Sequence, residues 1–184
     1  MFYVFIPPGE RTLFHTHVND GIGIKLTDAQ IRDEVLGGTA DDSFVTRGAV
    51  GFSHYSSPLT HRVINIGSTP FRNIFVEVLS STDKLSNAPS LVSVVGHTMV
   101  LENDRLRVTR LVLAPGQSTE MHSHMLRGIG VAITEGKIRV EVPGVRSKSM
   151  KFKPGDYQWH ESGIKHSLRN VGSAPFEAID IELK

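Results

Sequence analysis

Six of the nine histidines in this 184-residue chain fall into a repeated pattern. His15-Thr16-His17 and His122-Ser123-His124 are His-x-His pairs. Alternate side chains of an extended strand share a face, so each pair presents two imidazoles side by side. Two such nitrogens can share one metal ion at about 2.0–2.2 Å. A third histidine comes from a distant strand in each half, His61 or His166, and is followed four residues later by Asn65 or Asn170. The competing explanation is a set of core histidines satisfied by hydrogen bonds. The chain has no cysteine, which excludes a thiolate zinc site, a cysteine nucleophile and a disulfide framework.

The pattern is doubled because the chain is doubled. Residues 8–17 lie over residues 115–124 at an offset of 107, and the register runs on through Gly21-Ile22-Gly23 over Gly128-Ile129-Gly130. Residues 61–71 lie over 166–176 at an offset of 105, so the first copy holds two extra residues between Gly48 and His61. Each copy reads as β structure, with short β-branched runs such as Lys137-Ile138-Arg139-Val140-Glu141-Val142 cut by turn signals such as Pro154-Gly155-Asp156. Residues 28–36 have some helical character, but their repeat partner reads as turn and strand, so they are assigned as strand. Strands at this density predict a sandwich or barrel in each half. The predicted domains are 1–85 and 86–184, joined by a polar linker at 80–90. The second copy has a leading segment, 100–108, with no counterpart before Met1. The first barrel therefore lacks its leading strand and needs cover, from residues 91–95, from a second subunit or from a longer gene product.

Twenty basic and nineteen acidic residues give a net charge of +1, and no dense Lys/Arg run is present, which argues against nucleic acid as a partner. No apolar stretch is long enough for a membrane helix; residues 1–6 run into Pro7-Pro8-Gly9 and read as a strand meeting a turn. A cytoplasmic location is the default expectation.

These motifs resemble those of the cupin superfamily. Gly116, His122-Ser123-His124 and Gly136 match its first motif, and Pro154-Gly155-Asp156 through Gly163, His166 and Asn170 match its second. Gly9, His15, His17, Gly48, His61 and Asn65 repeat the pair. The resemblance implies an all-β protein of two double-stranded β-helix (jelly-roll) barrels in tandem, with a homodimer as the expected assembly. The slot where cupins commonly carry a glutamate holds Ile129, and Ile22 in the first half. The first half also has Ala29 for the closing glycine and Arg47 for the second motif's proline. By analogy each site is three neutral imidazoles, His122, His124 and His166 or His15, His17 and His61, similar to three-His cupin dioxygenases.

A divalent ion on three neutral ligands keeps its charge and favours a small anionic, chelating partner, and its open positions suit catalysis. Iron(II) is favoured, with Mn, Ni, Co, Cu or Zn as other transition metals that fit. Alternation places Glu120 on the face of His122 and His124, as fourth ligand, general base or salt-bridge partner. It also places Ile129, Val131 and Ile133 in the same cavity, and Ile22, Ile24 and Leu26 in the other. His160, six residues before His166, is the other acid/base candidate. The expected function is a metal-dependent enzyme, in its sharpest form an oxidoreductase of the dioxygenase type. The alternative is a cupin that binds or senses a small ligand without turnover. His54 and His97 have no repeat partner and receive no role.

Overall fold

The computed structural model describes residues 1–79 and 89–184. The chain divides into two compact units, Met1–Ser80 and Ser81–Lys184. The expected boundary at 85/86, and all of the linker but Pro89 and Ser90, lie outside the described residues.

The first unit contains β1 (Phe2–Ile6), β2 (His15–His17), β3 (Gly21–Lys25), β4 (Ala29–Val35), β5 (Ala40–Val45), β6 (Val50–Ser53), β7 (Leu59–Asn65) and β8 (Phe71–Glu77). They form two antiparallel sheets, ordered β1-β8-β3-β6 and β2-β7-β4-β5. The second unit opens on a 3-10 turn, Leu91–Ser93. It continues with β9 (His97–Glu102), β10 (Leu106–Leu113), β11 (His122–Ser123), β12 (Gly128–Ala132), β13 (Gly136–Glu141), β14 (Lys148–Phe152), β15 (Tyr157–His160), β16 (Lys165–Asn170) and β17 (Phe176–Leu183). Its sheets are ordered β15-β12-β17-β10-β9 and β11-β16-β13-β14. Strand for strand the second order repeats the first, with β10 matching β1 and β17 matching β8. Apart from the hairpins β4–β5, β13–β14 and β9–β10, sequence neighbours fall in different sheets, which is the jelly-roll arrangement. Within residues 28–36, Ala29–Val35 is strand, as assigned from the repeat, and the two extra residues fall between Ser53 and His61.

Buried side chains from both sheets meet in each unit and hold the sheets face to face. In the first unit Ile6 and Phe71 pack with Ala29 and Ile31; in the second, Ala132 and Phe176 pack with Ile138. Each fully buried Ile or Phe contributes about 1.5–3 kcal/mol. The paired asparagines lock the same corner twice. Asn170 is fully buried, donates to Leu113 O and Ala174 O at 2.9 and 2.8 Å, and accepts from Gly172 N–H at 2.9 Å. Asn65 makes the corresponding three bonds to Ile6, Thr69 and Gly67. The backbone carbonyl of each asparagine accepts from Gly9 or Gly116, whose φ of +77° or +80° strains any residue with a Cβ.

The strand missing from the first copy is β9, which has no counterpart there. Among the described residues no strand lies beyond β1, and Phe2, Tyr3 and Phe5 on it are about half exposed. Leu91–Ser93, within the segment 91–95, is a helical turn beside β9 of its own unit, not a strand.

Candidate metal centres and the cavity of the second unit

The pairing of β11 with β16 sets His122 opposite His166. His124 is held next to them by its own N–H, which donates to Ile164 O, and by its carbonyl, which accepts from Gly163 N–H. The result is three converging Nε2 atoms: that of His166 lies 3.1 Å from His122 and 3.2 Å from His124. Nitrogens about 2.1 Å from a common ion stand about 3.0–3.4 Å apart at ordinary coordination angles, so the donor set fits a transition metal. His122 Nδ1 donates to Glu120 O at 2.9 Å, which leaves its Nε2 lone pair directed at the cluster. Burial, then His124 and His122, push His166 down to about 3, and burial lowers His122 as well. His122 and His166 are therefore neutral near pH 7, as imidazole ligands must be.

Behind His124 lies a carboxylate pair. Its Nδ1 faces Asp180 Oδ2 at 3.6 Å and Glu182 Oε1 at 3.5 Å, and all three atoms are buried without a hydrogen-bond partner. His160 Nε2 donates to the other oxygen of Asp180 at 3.0 Å, and its ring lies 4.1 Å from that of His124. Burial opposes the charge on His160, but the Asp180 carboxylate outweighs it and holds the imidazole above its ordinary pKa. Burial likewise opposes the charge on Asp180, and His160 overrides it. His124, His160 and Asp180 thus form a second donor cluster sharing one residue with the first. These carboxylates offset part of the positive charge that three neutral ligands would leave on an ion.

The first unit repeats the triad with different support. β2 and β7 set His15 opposite His61, and the rings of His15, His17 and His61 lie 4.6–5.0 Å apart. His15 Nδ1 donates to Leu13 O, matching His122. His61 Nδ1 donates to Asp33 Oδ1 at 2.7 Å, which leaves its buried Nε2 without a partner and available to a metal. His17 stacks on Tyr55 and packs against Phe75; burial, then His61 and His15, lower its pKa.

Both histidine triads are brought together, and His160 joins the second. Glu120 does not. It is exposed, its carboxylate accepts from Val95 N–H at 2.9 Å, and that bond depresses its pKa. The alternation that would align it with His122 stops at the first residue of β11, a two-residue strand. The expected cavity linings are also corrected. Register pairs Gly128, Gly130 and Ala132 with Glu182, Asp180 and Ala178, so these face the interior, and Ile129 and Val131 face the other side of the sheet. The same holds for Ile22 and Ile24 in the first unit, where Gly23 is paired with the inward Phe75. Ile133 and Leu26 follow the strand ends and are buried. The phase of one strand does not carry across a turn into the next. A Cβ on Gly128 would stand 2.4 Å from Ile181 O and 2.6 Å from His160 Nε2, so only glycine fits beside the imidazole.

The second triad opens into a cavity of about 430 Å³ whose polar wall also holds His160, Asp180 and His97. His97 is buried on β9 with its ring 5.5 Å from that of His122. From the sequence alone no role falls to His97, Asp180 or Glu182. His97 belongs to the strand without a repeat partner. The two acids did leave a signal: Ala178-Ile179-Asp180-Ile181-Glu182 puts both acids on one face of the strand.

Residues 109–182 match the family profile described as the cupin domain. Among solved structures, AerE from Microcystis aeruginosa is similar over 99% of this chain and 86% of its own, with a TM-score of 0.67 and 14% identity. The Mn(II)-containing oxalate decarboxylase of Bacillus subtilis is similar over 98% of this chain and 67% of its own, at TM-score 0.64 and 14% identity. A cupin 2 conserved barrel domain protein from Leptotrichia buccalis aligns over 99% and 82%, at TM-score 0.58 and 12% identity. No curated protein sequence matches significantly. Among the described residues no helix is long and apolar enough to cross a membrane. With a cupin domain matched over residues 109–182 of the second unit and the same strand order in the first, the chain has the fold of two consecutive cupin-type barrels.

Proposed function

We propose that the second barrel is a metal-dependent enzyme centre of the oxygenase type, acting on a small anionic substrate that chelates through neighbouring oxygens. The observation that carries this reading is the placement of the His160–Asp180 pair in the wall of the cavity onto which three Nε2 atoms converge. His122, His124 and His166 would hold the ion; iron(II) suits three imidazoles with open positions, and manganese, cobalt, nickel, copper and zinc also fit the donor set. A bound divalent ion supplies positive charge that stabilises an enolate-type anion. His160 serves as the group that accepts a substrate proton, and Asp180 orients its ring and stabilises the resulting imidazolium. The carboxylates behind His124 face its Nδ1 at 3.5–3.6 Å, and their charge favours the tautomer with Nδ1–H towards them and Nε2 free for the ion.

In the first barrel a non-catalytic binding role is favoured. By register, Ser53 and Phe75 occupy the positions of His160 and Asp180, so the triad there has no proton acceptor of that kind.

The test is oxygen uptake and substrate loss with iron(II)-loaded protein across a panel of 2-oxo acids, 2-hydroxy acids and 1,3-dicarbonyls. Uptake that disappears in His166→Ala and falls by about a hundredfold or more in His160→Gln supports the reading. If no loaded form consumes oxygen or substrate while ligands still stabilise it, the second barrel is a binding module.

A further inference from the structure

We infer that the second barrel takes an amphipathic chelator: two neighbouring oxygens at the histidines and an apolar chain or ring deeper in the barrel. This rests on the proposed centre at His122, His124 and His166 and adds the substrate class. The strand registers divide the cavity. His166 is level with His122; two residues further along β16, Leu168 is level with Val140; beyond it Ile138 is level with Met150, and Gly136 with Phe152. Across the barrel, Phe176 and Ala178 close the same end. Polar groups therefore form one band, and Ile138, Val140, Met150, Phe152, Leu168 and Phe176 form an apolar compartment next to it.

A two-carbon diacid such as oxalate would occupy the polar band alone and leave the apolar walls unused. A space of about 430 Å³ instead suits a ligand that buries an apolar body against them. At the rim, Lys148 and Arg146 line the cavity and are exposed. Two cations there attract an anion without being covered by it. The compartment thus selects the body, and the histidine band selects the head.

The experiment titrates full-length protein, metal-free and loaded with cobalt(II), with pyruvate, 2-oxooctanoate and octanoate by calorimetry. Each methylene buried is expected to tighten binding about fourfold. 2-Oxooctanoate should accordingly bind at least tenfold more tightly than pyruvate in both forms, with a further gain on metal loading that octanoate, lacking the second oxygen, does not share. Met150→Trp, on the partly exposed edge strand β14, should cut 2-oxooctanoate affinity about tenfold and leave pyruvate unchanged. Chain-length dependence without a metal-dependent gain would retain the apolar compartment and reject the metal centre. Equal affinity for pyruvate and 2-oxooctanoate, or a gain that Met150→Trp leaves intact, would overturn the inference whatever the metal does.

Discussion

The two barrels hold the same three histidines and a glutamate at one register position, Glu77 or Glu182, but differ in the aspartates that support them. In the first, Asp33 on β4 takes the Nδ1–H of His61, the third histidine, and is 46% exposed on its side chain. In the second, the position of Asp33 is Val140, and the acids lie behind the second histidine, His124, as the buried Asp180 and Glu182. The first barrel puts Phe75 against His17 where the second puts Asp180 near His124. Duplication has kept the donor set and redistributed what surrounds it. A metal site depends on few side chains, whereas proton transfer needs an additional acid/base pair in the same wall. The second copy has it as His160–Asp180, and the first has Ser53 and Phe75 at those two positions.

The comparison breaks most directly at the ligands. His166→Ala should remove one equivalent of metal from the second barrel and leave the first loaded, and His61→Ala should do the reverse; elemental analysis of each variant decides. A variant that loses both equivalents would show that the centres are not independent. A smaller effect is expected from Asp180→Asn, which should lower turnover by about 10²–10⁴ while the metal remains bound. Metal content and rate measured on one preparation separate this from simple loss of the ion.

Where the barrels agree, the effects should agree. Asn170→Ala and Asn65→Ala each strand two carbonyls and one N–H in a buried corner, and each should cost about 3 kcal/mol in urea unfolding. A large difference between them would mean that the duplicated corner does not carry equal weight in both units. The smallest effect should come from Asp33→Asn. Replacing a carboxylate behind a metal-binding histidine weakens affinity by about 10–100-fold, and the exposure of Asp33 puts it at the lower end. Metal titration of the first site in a His166→Ala background measures it.

Much of the fold was legible because the chain states its motifs twice. Repetition turned Gly9, Asn65 and the histidines from single coincidences into paired positions, and the structure gives each a matching role in both units. The face of β12 was misread because alternation is informative within a strand and silent across a turn. Gly128 and Gly130 look like weak strand residues; they are the inward positions, and Gly128 is kept small by His160 and the backbone of Ile181. Glu120 was misplaced for a related reason, since β11 is too short to extend its phase backward.

The order of residues alone determined the duplication, the all-β character and the identity of the six paired histidines, because these depend on local spacing and periodicity. Tertiary structure alone decided which groups stand behind those histidines. His97, Asp33, Asp180 and Glu182 reach the centres from strands distant in sequence, through sheet register, and join His160, already a candidate from the sequence. The difference between a site equipped only to bind and one equipped to move a proton therefore lies in pairing across the sheets, where hydrogen-bond distances and burial are set.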